Sequence, residues 1–142
     1  MGFKKSPLPD QLPDEILEKI NELKNISVSP DDFLKRAYEF LGDKYRSERF
    51  NTILKFNYLF KPLQEIWDMH GYIPCTQSSF LMRIFLIRSG FFKEEDIKIK
   101  HTFVNFCIHQ YLQAHVGDKW IDIDVGEKQK GMEIGKHLKN FG

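Results

Sequence analysis

Three residues in this chain have the types and the order that thiol chemistry requires. Cys75 heads a long apolar run, His109 lies on an alternating segment, and Asp124 lies on the alternating segment after it. A thiol attacks carbonyl carbon only as thiolate, and a helix N-terminus favours that charge through its unpaired N–H groups and dipole. Cys75 follows Pro74 and opens "CTQSSFLMRIFLIRS", which reads as a helix from Cys75 to Ser89 stopped by Gly90. A cysteine taken alone carries little weight, because free Cys is among the most buried residue types and packs as a small hydrophobe. The placement of His109 and Asp124 decides the matter.

Beyond Gly90 the hydrophobic period changes to two. "DIKIKHTFVNF", "CIHQYLQAHV" and "KWIDIDV" read as three strands, the last two joined by a tight hairpin at Gly117-Asp118. An even hairpin loop sets Asp124 opposite Tyr111 and His109 opposite Gly126. His109, Tyr111, Gln113, Asp122 and Asp124 then share one face, and Leu112, Ala114, Val116, Ile121 and Ile123 form the core face. Asp124 becomes the diagonal neighbour of His109, roughly 5–8 Å away by Cβ, while Asp122 stands one step too far. A nucleophile, a base that takes its proton and a carboxylate that fixes the base are the parts of cysteine acyl transfer. Taken singly, His109 and Asp124 are ordinary residues of a solvated sheet face; their joint placement gives the pattern its weight.

The segments before Cys75 supply the scaffold. "PDEILEKINELKN" sets Ile16, Ile20 and Leu23 at helical spacing behind Pro13. "SPDDFLKRAYEFLGDKY" is a second helix, with Ser29 as cap, Pro30 in the first turn, two acids at the positive end, and a stripe of Phe33, Ala37, Phe40 and Leu41. "PLQEIWDMHG" predicts a short helix from Pro62 that stops at Gly71. The run after Cys75 is apolar nearly all round, so it is the central buried helix. Helices first and a small antiparallel sheet second make an α+β domain. One domain is expected over 1–142, with a lead and first helix in 1–28, the core in 29–125 and a C-terminal segment in 126–142.

"GYIPC" at a helix start, followed by "IHQYLQAHV" and "KWIDIDV", resembles the transglutaminase-like cysteine fold, a relative of the papain-like proteases. That family shows Cys at a helix start, His-x-hydrophobic on a strand, and Trp-x-x-x-Asp on the next. The helix closing on Tyr45 is similar to one that often precedes this core, so the resemblance spans roughly Ser29 to Val125. It implies Cys75 as nucleophile, His109 as base and Asp124 as its orienting carboxylate, with no cofactor and no metal. Two positions depart from the pattern: Val125 stands where Pro is common, and Pro74 where a small or variable residue is usual. The implied activity is acyl transfer through a Cys75 thioester, with hydrolysis of a peptide or amide favoured over cross-linking. The alternative is a non-catalytic domain of the same fold that binds a peptide or protein partner. The Cys75 backbone N–H is the first expected oxyanion donor, and Gln77, Gln64 or Trp67 is the second. Tyr72 and Tyr111 are candidates to line the cleft.

Composition narrows the field further. With 21 basic and 20 acidic residues in 142, the net charge of +1 leaves no electrostatic footprint for nucleic acid. The N-terminus lacks the apolar stretch of a signal sequence and no run reaches the length of a membrane span, so a soluble cytoplasmic protein is expected. A Cys75–Cys107 disulfide does not suit that compartment. Zinc would want ligands paired at short spacing, which neither cysteine has. His70, His101, His115 and His137 have no arguable partner and read as surface or core.

Overall fold

The structure is a computed structural model and describes residues 8–47, 63–68, 71–73, 75–104, 107–130 and 133–135. Helix α1 (Asp14–Ile26) starts behind Pro13 with two acids in its first turn and buries Ile16, Ile20 and Leu23, the expected stripe. Helix α2 (Pro30–Lys44) is capped as its sequence predicts. Ser29 Oγ accepts from the Asp32 N–H at 3.1 Å, and Asp32 returns the bond by accepting from the Val28 N–H at 3.0 Å. Its buried face carries Phe33, Ala37 and Leu41 and widens to Leu34 and Tyr38, while Phe40 is half-buried.

Three short elements follow: strand β1 (Tyr45–Ser47), helix α3 (Leu63–Asp68) and strand β2 (Gly71–Ile73). β1 and β2 pair in parallel, Tyr45 with Gly71. α3 is described as far as Asp68, and Gly71, the expected helix stop, opens strand β2. Pro62, Pro74 and His70 lie outside the described residues. Three-residue strands are too short to show alternation, so this pair leaves no pattern in the sequence.

Helix α4 (Cys75–Arg88) begins at the expected residue and buries Leu81, Met82, Ile84, Phe85 and Leu86 completely. Gly90, at φ 84°, ends the run in a backbone region that other residues enter only with strain. Phe85 stacks with Trp67 and Phe40 at centroid distances of 6.1 and 6.0 Å, so α2, α3 and α4 meet in one aromatic cluster. Tyr45 is buried beside it and donates its hydroxyl to the Trp67 carbonyl at 2.5 Å. Even Arg83, inside α4, is buried, with its guanidinium reaching Glu94 at 3.3 Å.

A 3-10 turn (Glu94–Asp96) leads into an antiparallel sheet of order β3-β4-β5, with β3 at Ile97–Val104, β4 at Cys107–Val116 and β5 at Lys119–Ile123. The β4–β5 register pairs Val116 with Lys119 and Leu112 with Ile123, the register of an even hairpin loop. Gly117 sits in the turn at φ 61°. Leu112, Ala114 and Ile123 are buried, and Val116 and Ile121 partly so, as the core-face reading requires. β5 is shorter than "KWIDIDV" suggests: it ends at Ile123, and a 3-10 segment (Val125–Lys130) begins directly after Asp124. The molecule is α+β. Among the described residues no helix is long and apolar enough to cross a membrane.

Candidate active site

Cys75 is the first residue of α4, where backbone N–H groups have no partner within the helix. Its sulfur is a free thiol with 8% of the residue exposed, and it accepts a hydrogen bond from the backbone N–H of Gln110 at 3.4 Å. That donor comes from β4, which packs directly against α4. His109 precedes it on the strand. Its side chain is fully buried, and Nε2 lies 2.7 Å from Asp124 Oδ2. A carboxylate only accepts, so the shared hydrogen belongs to Nε2.

Burial alone pulls the His109 pKa down. The hydrogen bond to Asp124, the approach of Cys75 and the negative charge at both positions outweigh it, and the pKa is pushed up to about 10. Nδ1 itself has no partner at hydrogen-bonding geometry among the described residues.

The hairpin register explains how His109 meets Asp124. Gln113 faces Asp122 and Leu112 faces Ile123, so the next step brings Asp124 level with Tyr111 and diagonal to His109. Asp122 is engaged elsewhere, its Oδ1 accepting from Gln113 Nε2 at 2.7 Å. Tyr111 is buried on the same face. Burial, then the charges of Asp122 and Asp124, raise its phenol pKa above the ordinary value.

Among the other expected cleft residues, Trp67, Gln64 and Gln77 stand apart from this group. Trp67 belongs to the aromatic core, and its indole N–H is donated to Glu15 on α1 at 3.0 Å, so it is not free to meet an oxyanion. Gln64 is exposed and bonded to Asp68 within its own helix. Gln77 is 4% exposed and its amide has no hydrogen-bond partner among the described residues. Two residues along a helix is a rotation of about 200°, so Gln77 leaves α4 on the side away from Cys75. The side chains of Tyr72 and Cys107 and the whole of His137 lie outside the described residues. His115 stacks on Trp120 at 4.8 Å, at the far end of the hairpin from His109.

One contributor escaped the sequence reading: the Gln110 backbone N–H reaches the sulfur, and no residue pattern encodes a main-chain donor.

No family model, no curated protein and no solved structure matches this chain. The geometry of the centre is therefore the basis for any reading of its chemistry. Among the described residues no three His, Cys, Asp or Glu side chains come together as metal ligands.

Proposed function

We propose that this is a transglutaminase-like domain that performs cysteine-dependent acyl transfer, with Cys75 as nucleophile, His109 as proton shuttle and Asp124 as the carboxylate that orients His109. The observation that carries the reading is the His109 Nε2–Asp124 Oδ2 contact of 2.7 Å, with Cys75 near enough to the same imidazole to help raise its pKa. With its pKa near 10 the imidazole keeps a proton at neutral pH, and a thiolate is its natural counter-ion. The thiolate attacks a carbonyl carbon and forms a tetrahedral oxyanion. His109 then gives its proton to the leaving amine as the C–N bond breaks, which leaves a thioester on Cys75. Neutral His109 takes a proton from water as water attacks the thioester, and the acid product departs. The Cys75 and Gln110 backbone N–H groups are the donors closest to the developing charge.

Water is the favoured acceptor. Near the centre the acids on the sheet face are Asp122, held by Gln113, and Asp124, held by His109, which leaves no other carboxylate on that face among the described residues to receive an amine. A peptide or amide hydrolase follows. The second reading, a non-catalytic domain that binds a peptide or protein partner, draws support from the enclosure of the centre, since the His109 side chain has no exposed surface.

Iodoacetamide labelling read peptide by peptide tests the proposal. Cys75 should react at pH values where an ordinary thiol, with a pKa of about 8.5, is mostly protonated, and faster than Cys107. His109→Ala should abolish the difference. Slow and equal labelling of both cysteines would leave the non-catalytic reading in place.

A further inference from the structure

The sheet face that carries His109 continues past it to the hairpin. Alternate residues of β4 share one side of the sheet, and the two registers set Lys98 beside Gln113 and Trp120 beside His115 on that side. The face is closed at one end and open at the other. His109 and Tyr111 are 1% and 6% exposed, whereas the His115 side chain is 39% exposed and Trp120 36%. At the open end the indole stacks on the His115 ring, 20° from parallel, and Lys98 Nζ stands 3.9 Å from the centre of an indole ring. An exposed tryptophan fixed by two neighbours is a rigid contact surface, and tryptophan is among the residues that most often anchor an interface. The unanswered charge on this face is positive. Lys98 and Lys100 are exposed, and among the described residues neither meets a carboxylate. The acids that border them are engaged: Asp122 accepts from Gln113 Nε2 at 2.7 Å, and Asp96 accepts from the Lys93 N–H at 2.9 Å and lies 3.8 Å from His115 Nδ1.

We propose that the open end of this face, Trp120 with Lys98 and Lys100, docks an extended acidic peptide segment, and that such a segment marks the substrates of the centre at the closed end. The substrate role rests on the acyl-transfer reading; the docking does not. Two lysines two residues apart on a strand point the same way with a spacing of about 6.6 Å, the spacing of alternate side chains on an extended peptide. Carboxylates at alternate positions of the ligand therefore meet both ammonium groups, while the side chain between them or the ligand's aliphatic stems lie against the indole. His109 and His115 are six residues apart on β4, which is about 20 Å at the rise of a strand. The acidic residues of a substrate then lie roughly six positions from the carbonyl that meets Cys75.

The test is fluorescence anisotropy of a dye-labelled peptide of alternating Glu and Thr titrated with the full chain, in a Cys75→Ala background that leaves the probe intact. A peptide of alternating Lys and Thr is its counterpart. The acidic peptide should bind and the basic one should not, and added salt should weaken the binding. Lys98→Glu with Lys100→Glu should lower the affinity for the acidic peptide about ten-fold and turn the preference toward the basic one. Trp120→Ala should lower it by a similar factor. Equal binding of the two peptides, or an affinity unchanged by the charge reversal, overturns the proposal, and so does an oligothymidylate that binds as tightly as the acidic peptide. If circular dichroism shows that Trp120→Ala does not fold, the charge reversal at two exposed positions decides. Cys75 labelling is read separately. A reactive Cys75 with no preference between the peptides removes this inference alone. An unreactive Cys75 with acidic-peptide binding intact removes the acyl-transfer reading and leaves the docking surface standing.

Discussion

At His109 two opposing effects meet on one ring: burial disfavours its charge, while Asp124 and Cys75 favour it more strongly. The folded pKa of about 10 exceeds the unfolded value of about 6.5. A raised pKa contributes stability that is complete below about pH 6.5 and is lost as pH climbs through 10. Thermal melts across that window should show the midpoint falling, and falling less in Asp124→Asn, where the imidazolium has lost its partner. Parallel profiles for the two proteins would contradict the pairing. The same pair separates the two aspartates. Asp124→Asn should slow Cys75 alkylation by ten-fold or more, about 1.4 kcal/mol, whereas Asp122→Asn, whose carboxylate meets Gln113 and not His109, should leave it within two-fold. Cys75, His109 and Asp124 were legible in the sequence because each carries its chemistry in its side chain. The Gln110 N–H was not, since a main-chain donor leaves no mark in a residue pattern.

Elements carry the register that these residues need. Strand parity was legible because the alternation of β4 runs on both sides of an unmistakable turn, and one even loop fixes every face at once. Gly117 holds that turn at positive φ. Gly117→Val should destabilise the domain by about 1–2 kcal/mol, the strain of a side chain in the left-handed region, read as a lower urea midpoint with unchanged slope. At the head of α2, Ser29→Ala should remove the bond to Asp32 and cost about 1 kcal/mol. The sequence was silent on β1, β2 and the 3-10 segment after Asp124. The first two are shorter than one full alternation, and the third is held by contacts with α2 and not by a hydrophobic period of its own. The end of β5 at Ile123 has a functional reading: Asp124 is released from the ladder, and its carbonyl caps the next turn while its carboxylate meets His109.

For the whole molecule, the α+β order of helices before sheet was legible from the switch in hydrophobic period, and α4 from its apolar circumference. The centre draws on separate parts of the chain: α4 brings Cys75, β4 brings His109 and the Gln110 N–H, and the end of β5 brings Asp124. Disturbing the shared core should therefore blunt the centre without touching it. Ile84→Ala, at a fully buried position of α4, should cost about 2–5 kcal/mol in denaturant unfolding. The acyl-transfer account reduces to one covalent event on one sulfur. Intact and peptide mass spectrometry of the chain mixed with p-nitrophenyl acetate, a small acyl donor suited to a thiol with so little exposed surface, reads it directly. The account predicts one acetyl group on Cys75, labile to hydroxylamine and released as acetate even with a primary amine present, with none on that residue in His109→Ala. Acetylation that ignores Cys75, or that proceeds equally well without His109, would contradict it.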